Sequence, residues 1–283
     1  MRQRQIGSIR VGAIGLGAMQ LDDFPERAEV TVRAALDAGI TLIDTAIAYG
    51  PDHLGAAAMG ENERLVASIL DRVGARGHVV IATKGGHVRT AGGGWGVDSS
   101  ATHLRSAVDA SLANLGVEQI DLYQHHRPDP KVPYGDAMTT LKELHDVGKV
   151  RMVGISNASR RQILQARDIL GDALVSVQNE YSPRFRSSEV ELQLCDELDL
   201  AFLAWSPLGG ADQAGNLGGQ HTAFGRVGAE LGISPQQVCL AWMLAKSPRL
   251  IPIPGASRPE SISDSAQAAE VELSDEQLAL LDG

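Results

Sequence analysis

A single (β/α)8 barrel spanning residues 1–283 is the fold the sequence predicts, and three observations predict it. Short β-branched runs alternate with longer amphipathic stretches from one end of the chain to the other, which is the signature of a parallel sheet built from βα units. There are eight such runs. No linker, composition shift or low-complexity segment interrupts them, and 283 residues suit a barrel that typically needs about 250. An open, doubly wound sheet is the alternative.

The strand candidates, in order, are residues 11–17, 41–45, 78–84, 120–126, 150–156, 175–178, 201–206 and 250–254. Between them the helical stretches carry start signals. Ser159 with Gln162, Ser234 with Pro235 and Gln237, and Ser274 with Gln277 all fit a capping box, where side chains satisfy the orphan amides of a first turn. Gly39, Gly74, Gly116, Gly148 and Gly171 follow helical stretches where a left-handed residue is wanted. Three long loops, 85–99, 126–133 and 208–220, leave the C-terminal ends of strands, where barrel active sites are built.

Composition removes several function classes. Hydrophobic residues make up 43% and charged residues 21%, and no apolar run approaches the ~18 residues of a membrane span. The polar start has no signal-peptide core, which suggests a cytoplasmic protein. A net charge of −10 disfavours nonspecific binding to nucleic acid or to an anionic membrane. Cys195 and Cys239 are too few for a disulfide framework and too far apart for a zinc motif, so they read as buried, reduced and structural, and no metal is expected.

Gly15-Leu-Gly17-Ala-Met-Gln20 imitates the opening of a dinucleotide-binding glycine loop. Gln20 stands where the third glycine belongs and no helix follows directly, so the context fails. A tight first strand with close backbone approach is the better reading.

Polar groups at strand ends are more informative. Asp44, Lys84 and His126 end apolar runs, and Tyr49 lies just past the second. Lysine and aspartate are seldom buried unless paired, so an ion pair across neighbouring strands accounts for both, as structural bridge or as machinery. Tyr49 favours machinery. A phenol is a poor proton donor near neutrality until an ammonium stabilises its phenolate, which Lys84 can do while Asp44 holds it charged. A neutral His126 imidazole could then orient a carbonyl oxygen. Strand alternation lets only one of His125 and His126 face the site.

At these residues the chain resembles the aldo-keto reductase family along nearly its whole length. The matching stretches are Gly15-Leu-Gly-Ala-Met, Ile43-Asp-Thr-Ala-Ile-Ala-Tyr-Gly50, Asn62-Glu-Arg, Thr83-Lys-Gly-Gly, Ile120-Asp-Leu-Tyr-Gln-His-His-Arg-Pro-Asp-Pro, Val153-Gly-Ile-Ser-Asn, Val177-Gln-Asn-Glu-Tyr-Ser, Trp205-Ser-Pro-Leu-Gly-Gly and Ile251-Pro-Ile-Pro-Gly-Ala. The resemblance implies a catalytic tetrad of Asp44, Tyr49, Lys84 and His126, and selects His126 over His125. It implies a nicotinamide cofactor, with Ser156, Asn157 and Gln178 at the carboxamide, Trp205 stacked on the ring, and Ser206 and Leu208 toward the pyrophosphate.

The adenosine end departs from the family pattern. Gly255 and Ser261 stand where many relatives carry a lysine and an arginine for the 2′-phosphate of NADPH. Ser257 and Arg258 lie beside a helix N-terminus and could take over that contact, while Asp264 would touch adenine or repel the phosphate. NADPH is expected in preference to NADH.

Trp95 in the first long loop, as a wall for substrate or a pin for the glycine-rich loop, and Arg127 beside His126, as a contact for an anionic substrate or a surface salt bridge, are the substrate-side candidates, for a small aldehyde, ketone, sugar or ring aldehyde as partner. Three other activities remain open: an NAD-linked dehydrogenase, separated by coenzyme titration; a nucleotide-binding regulatory subunit, which the complete tetrad disfavours; and an aldolase using Lys84 as a Schiff base, which needs that lysine neutral.

Overall fold

In the computed structural model, which describes residues 1–22, 24–90 and 92–283, eight of the apolar runs lie side by side in one parallel sheet. The chain opens with an antiparallel hairpin, β1 (Gln3–Ile6) and β2 (Ile9–Gly12), turned at Gly7. The sheet strands are β3 (Leu16–Gly17), β4 (Leu42–Asp44), β5 (Val80–Gly85), β8 (Ile120–His125), β9 (Val150–Ser156), β10 (Leu174–Glu180), β11 (Ala201–Trp205) and β12 (Leu250–Pro252), hydrogen-bonded in that order. A second hairpin, β6 (His87–Arg89) and β7 (Trp95–Val97), follows β5.

The two edges of the sheet meet. Gly15 N–H donates to the Pro252 carbonyl and Gly17 N–H to the Pro254 carbonyl, both at 3.0 Å, and Gly17 forms a parallel bridge with Gly255. Closure excludes the open doubly wound sheet. It also explains why glycine sits at position 17, since a Cβ there would lie 2.9 Å from the Ile253 carbonyl oxygen, a backbone atom that cannot swing away. Gly17→Val is expected to cost about 1–3 kcal/mol, as overpacking of a closed interior does. Urea denaturation measures this, and a midpoint equal to wild type would mean that the edges do not press together.

The predicted strand 11–17 divides in two. Ile9–Gly12 belongs to the N-terminal hairpin, and only Leu16–Gly17 joins the barrel. The run Val-Gly-Ala-Ile-Gly-Leu-Gly is apolar throughout, so hydrophobicity alone carries no mark of the break. The hairpin plugs the bottom of the barrel: Ile6 and Val11 are fully buried among Leu42, Ala82, Leu122, Met152, Leu203 and Ile251, the inward-facing residues of the strands.

A larger apolar layer lies between the strands and the surrounding helices, α1 (Pro25–Asp37), α2 (Glu61–Arg72), α3 (Ala101–Leu115), α4 (Tyr134–Asp146), α5 (Arg160–Leu170), α6 (Glu189–Leu198), α8 (Leu217–Gln220), α9 (Thr222–Leu231), α10 (Pro235–Lys246), α11 (Pro259–Gln267) and α12 (Asp275–Asp282), while the short α7 (Ala211–Ala214) adds no buried residue to it. Helix boundaries follow the predicted signals. Ser159 N–H donates to Gln162 Oε1 at 3.0 Å and Ser274 N–H to Gln277 Oε1 at 2.9 Å; at Ser234 only half of the expected box forms, since Gln237 N–H donates to Ser234 Oγ at 3.0 Å but its side chain turns to Asp264. All five predicted stop glycines take positive φ. Two predicted loops hold short elements: residues 85–99 contain β6 and β7, and residues 208–220 contain α7 and α8. Both cysteines are buried and unpaired. Among the described residues no helix is long and apolar enough to cross a membrane.

Candidate active site

Strand alternation decides which side chains reach the lumen. Ala82 and Leu122 point inward while Ile81 and Tyr123 pack against helices, so Lys84, Gln124 and His126, two and four residues further along, also point inward at the C-terminal end of the barrel. Asp44 follows Leu42 by the same rule.

Lys84 is fully buried and Asp44 is 3% exposed. Lys84 Nζ donates to Asp44 Oδ2 at 2.5 Å, to the Thr45 carbonyl at 2.8 Å and to the Tyr49 hydroxyl at 3.4 Å. The free oxygen of Asp44 accepts from Gln124 Nε2 at 3.0 Å and Gln178 Nε2 at 2.8 Å. His126 meets the Tyr49 ring edge-on, with centroids 5.7 Å apart. The structure therefore brings all four expected residues together. His125 faces the other way, with Nε2 2.8 Å from Ser99 Oγ and its ring against Tyr134.

The electrostatics follow from burial and from this geometry. Burial works against the Lys84 ammonium, but Asp44 and then Tyr49 outweigh it and hold its pKa above the ordinary lysine value. A charged Lys84 is the reverse of what a Schiff-base lysine needs. His126 is held well below the usual imidazole value, by burial first and then by Lys84, His87 and Arg127, so it is neutral near pH 7. Tyr49 departs from expectation. Burial raises its phenol by more than Lys84 lowers it, so the net direction is upward.

The residues around the tetrad are fastened from outside the lumen. Asn62 accepts from Thr45 Oγ1 at 2.6 Å and donates to the Ala18 carbonyl at 2.9 Å and to Asp22. Buried Glu63 accepts from Thr83 Oγ1 at 2.6 Å and Asn114 Nδ2 at 2.8 Å. The Asn62-Glu63 pair thus ties α2 to the ends of β3, β4 and β5.

Ser156, Asn157, Gln178, Trp205 and Ser206 gather at the ends of β9, β10 and β11. Ser156 Oγ donates to the Gln178 carbonyl at 2.7 Å, and Asn157 Nδ2 donates to the His126 carbonyl at 2.9 Å. Among the described non-glycine residues, positive φ occurs at Asn157, Ser206 and the helix-ending Asp199. Such backbone costs on the order of 1–3 kcal/mol and collects at ligand clamps. Trp205 is half-buried and its Nε1 is buried without a partner. Leu208 lines a small pocket with Arg184, Gly209 and His221.

At the far end, Gly255 and Arg258 are exposed and Ser257 is half-buried, with Arg258 at the N-cap of α11. Asp264 has partners within the fold. Its carboxylate accepts from Ser234 Oγ at 2.7 Å and Gln237 Nε2 at 2.6 Å, so it fastens α11 to α10.

Arg127 is exposed beside His126, and Trp95 is 42% exposed on β7. Sequence reasoning missed Gln124, although it shares the parity of His126. It also missed His87, Arg89 and Asp52. His87 carried one signal, its position three residues past Lys84; Arg89 and Asp52 come together only through the hairpin.

Comparison with known proteins matches this architecture. The model of the Aldo/keto reductase family matches residues 13–283. An uncharacterised oxidoreductase of Schizosaccharomyces pombe is 34% identical over 286 residues, covering 98% of this chain and 88% of its own length. A 6-dehydroglucose reductase of Novosphingobium aromaticivorans is 35% identical over 286 residues, covering 95% of this chain and 90% of its own. The crystal structure of an aldo/keto reductase from Klebsiella pneumoniae, in complex with NADP and acetate, superposes with a TM-score of 0.83 at 26% identity, covering 99% of this chain and 94% of that one. The matched segment begins just before the barrel's first strand, β3, and runs through residue 283, and on that ground the chain belongs to the aldo/keto reductase family of oxidoreductases.

Proposed function

We propose that residues 1–283 act as one barrel that reduces a small aldehyde or ketone with NADPH, Tyr49 donating the proton. The observation that carries this reading is the buried line Asp44, Lys84, Tyr49, with the His126 ring against the phenol. The buried, unpaired thiols fit a reducing compartment, the cytoplasm.

The residues present fit a nicotinamide nucleotide. Trp205 offers a half-buried ring with an unpartnered Nε1, and Asn157 and Ser206 carry the strained backbone expected of a clamp. Ser156, Asn157 and Gln178 would hold the carboxamide end, Ser206 and Leu208 the pyrophosphate, and Gly255, Ser257 and Arg258 the adenosine end. When bound, the nicotinamide supplies the hydride that reaches the carbonyl carbon.

The chain's own residues supply the rest. Tyr49 Oη gives its proton to the carbonyl oxygen, and Lys84 stabilises the phenolate that results. Asp44 keeps Lys84 charged and aimed, and the neutral imidazole of His126 orients the substrate oxygen. The Klebsiella relative's complex with NADP supports the cofactor, and the name of the Novosphingobium relative supports reduction as the direction.

Arg258→Ala should weaken NADPH binding about 10- to 100-fold, the worth of a charge-assisted pair, and leave NADH within about twofold. Fluorescence titration of both cofactors measures it, and equal losses would remove Arg258 from the 2′-phosphate. Gly255 and Ser261, which lack the cations found in many relatives, favour one other outcome: tighter binding of NADH by the wild-type chain would make it the NAD-linked enzyme. A panel of carbonyl compounds with each cofactor, followed by loss of nicotinamide absorbance, tests the activity itself.

A further inference from the structure

The β6–β7 hairpin leaves the barrel directly after the strand that carries Lys84, and it bears groups for which the proposed proton transfer has no use. Arg89 pairs across the hairpin with Trp95, and His87 with Val97. Alternation therefore puts His87, Arg89 and Trp95 on one face.

His87 stacks on the Trp95 indole, with centroids 4.7 Å apart and planes 27° apart. It also meets His126 edge-on at 4.8 Å, so a second imidazole stands one ring away from the tetrad. Trp95 is held from the other strand by Arg89, whose guanidinium lies 4.2 Å from the indole centroid and pairs with Asp52 at 2.5 Å. Trp95 is thus held in place, and the residue stays 42% exposed.

Among the described residues no hydrogen bond reaches either ring nitrogen of His87, and its Nδ1 is buried without a partner. An unpaired buried nitrogen is costly, and is tolerated where a ligand completes the pairing. Burial, Arg127 and Arg89 hold the imidazole down to about 4, so it stays neutral and can both donate and accept.

A hydroxyl is the group that matches a neutral imidazole, because it also donates and accepts. An indole face suits the C–H surface of a short polyol chain. A plain alkyl aldehyde would leave His87 unpaired.

We propose that His87 determines specificity in this site, hydrogen-bonding a hydroxyl next to the reacting carbonyl while Trp95 supports the carbon chain. The substrate class is then a hydroxylated aldehyde or ketone of the sugar type. This rests on the reductase reading above.

Glyceraldehyde and propanal, which have the same number of carbons, test it. For His87→Phe, which keeps a ring against Trp95 and removes both nitrogens, kcat/KM for glyceraldehyde should fall about tenfold or more, while propanal changes less than threefold. His87→Gln, which keeps a donor and an acceptor, should retain most of the preference. Equal losses on both aldehydes, or an unchanged ratio, would overturn the role of His87.

A readout without turnover separates this from the reductase reading. The imidazole resonances of the full chain are followed by NMR, with His87 assigned by its loss in the glutamine variant, during titration with glycerol and with 1-propanol. A His87 shift with glycerol alone supports the proposal. The same response to both alcohols, or none to glycerol, overturns it even in a chain that reduces carbonyls. Failure to oxidise NADPH or NADH with any carbonyl overturns the reductase reading alone.

Discussion

Tyr49→Phe should lower carbonyl reduction by roughly 10²- to 10⁴-fold, the range that a positioned proton donor contributes, while nucleotide affinity stays within about twofold. The substitution removes one oxygen and keeps the ring, so the edge-on packing against His126 survives. What disappears is the hydroxyl that lies 3.4 Å from Lys84 Nζ. The rate should fall in kcat and kcat/KM together, because the lost interaction belongs to the transition state. The pH profile gives a second check. Burial raises the Tyr49 phenol above the ordinary value of about 10, so the acid form persists and reduction by the wild type should stay flat through neutrality, falling only as that higher value is passed. Near-normal turnover in the phenylalanine variant, or a wild-type rate already falling near pH 7, would remove Tyr49 from the proton path.

That prediction could be framed from the sequence because strand ends in a barrel are legible. A parallel strand buried on both faces allows polar residues at its end only when they are paired or at work, so Asp44, Lys84 and His126 stood out against apolar runs. The element order was legible for the same reason, and capping residues such as Ser159 and Gln162 marked the helix starts. What failed was punctuation. The stretch 11–17 concealed a change of partner between Gly12 and Leu16, because hydrophobicity does not record which strand a residue pairs with. The triplet Gly92-Gly93-Gly94 made 85–99 read as a loop, although glycines also turn hairpins, and Arg89 reaches Trp95 and Asp52 only once β6 and β7 pair. Asp264 gave no sign in the sequence of its partners, since Ser234 and Gln237 at the start of α10 supply its donors. Each of these pairings joins segments that only the folded chain brings together, and no local pattern of residue types records them.

The buried pair itself yields an asymmetric expectation for stability. Asp44→Ala should destabilise the fold by roughly 3–5 kcal/mol, the cost of leaving a buried charge uncompensated. Lys84 would keep only the Thr45 carbonyl and the Tyr49 hydroxyl as partners, with no exposure to water. Lys84→Met should cost less, because Asp44 retains two amide donors, from Gln124 and Gln178, and an apolar chain fills the vacated space. Both variants should be inactive, so turnover cannot tell them apart and denaturant titration must. In the wild type the pair's contribution is fully present below the ordinary lysine value of about 10.4, and it fades as the pH rises through the higher value that Lys84 has in the folded chain. If Asp44→Ala unfolds at the wild-type midpoint, Lys84 is not a buried ammonium held by that carboxylate. The same result would leave the Tyr49 phenolate without its stabilising charge, so one stability measurement bears on the catalytic reading without any substrate.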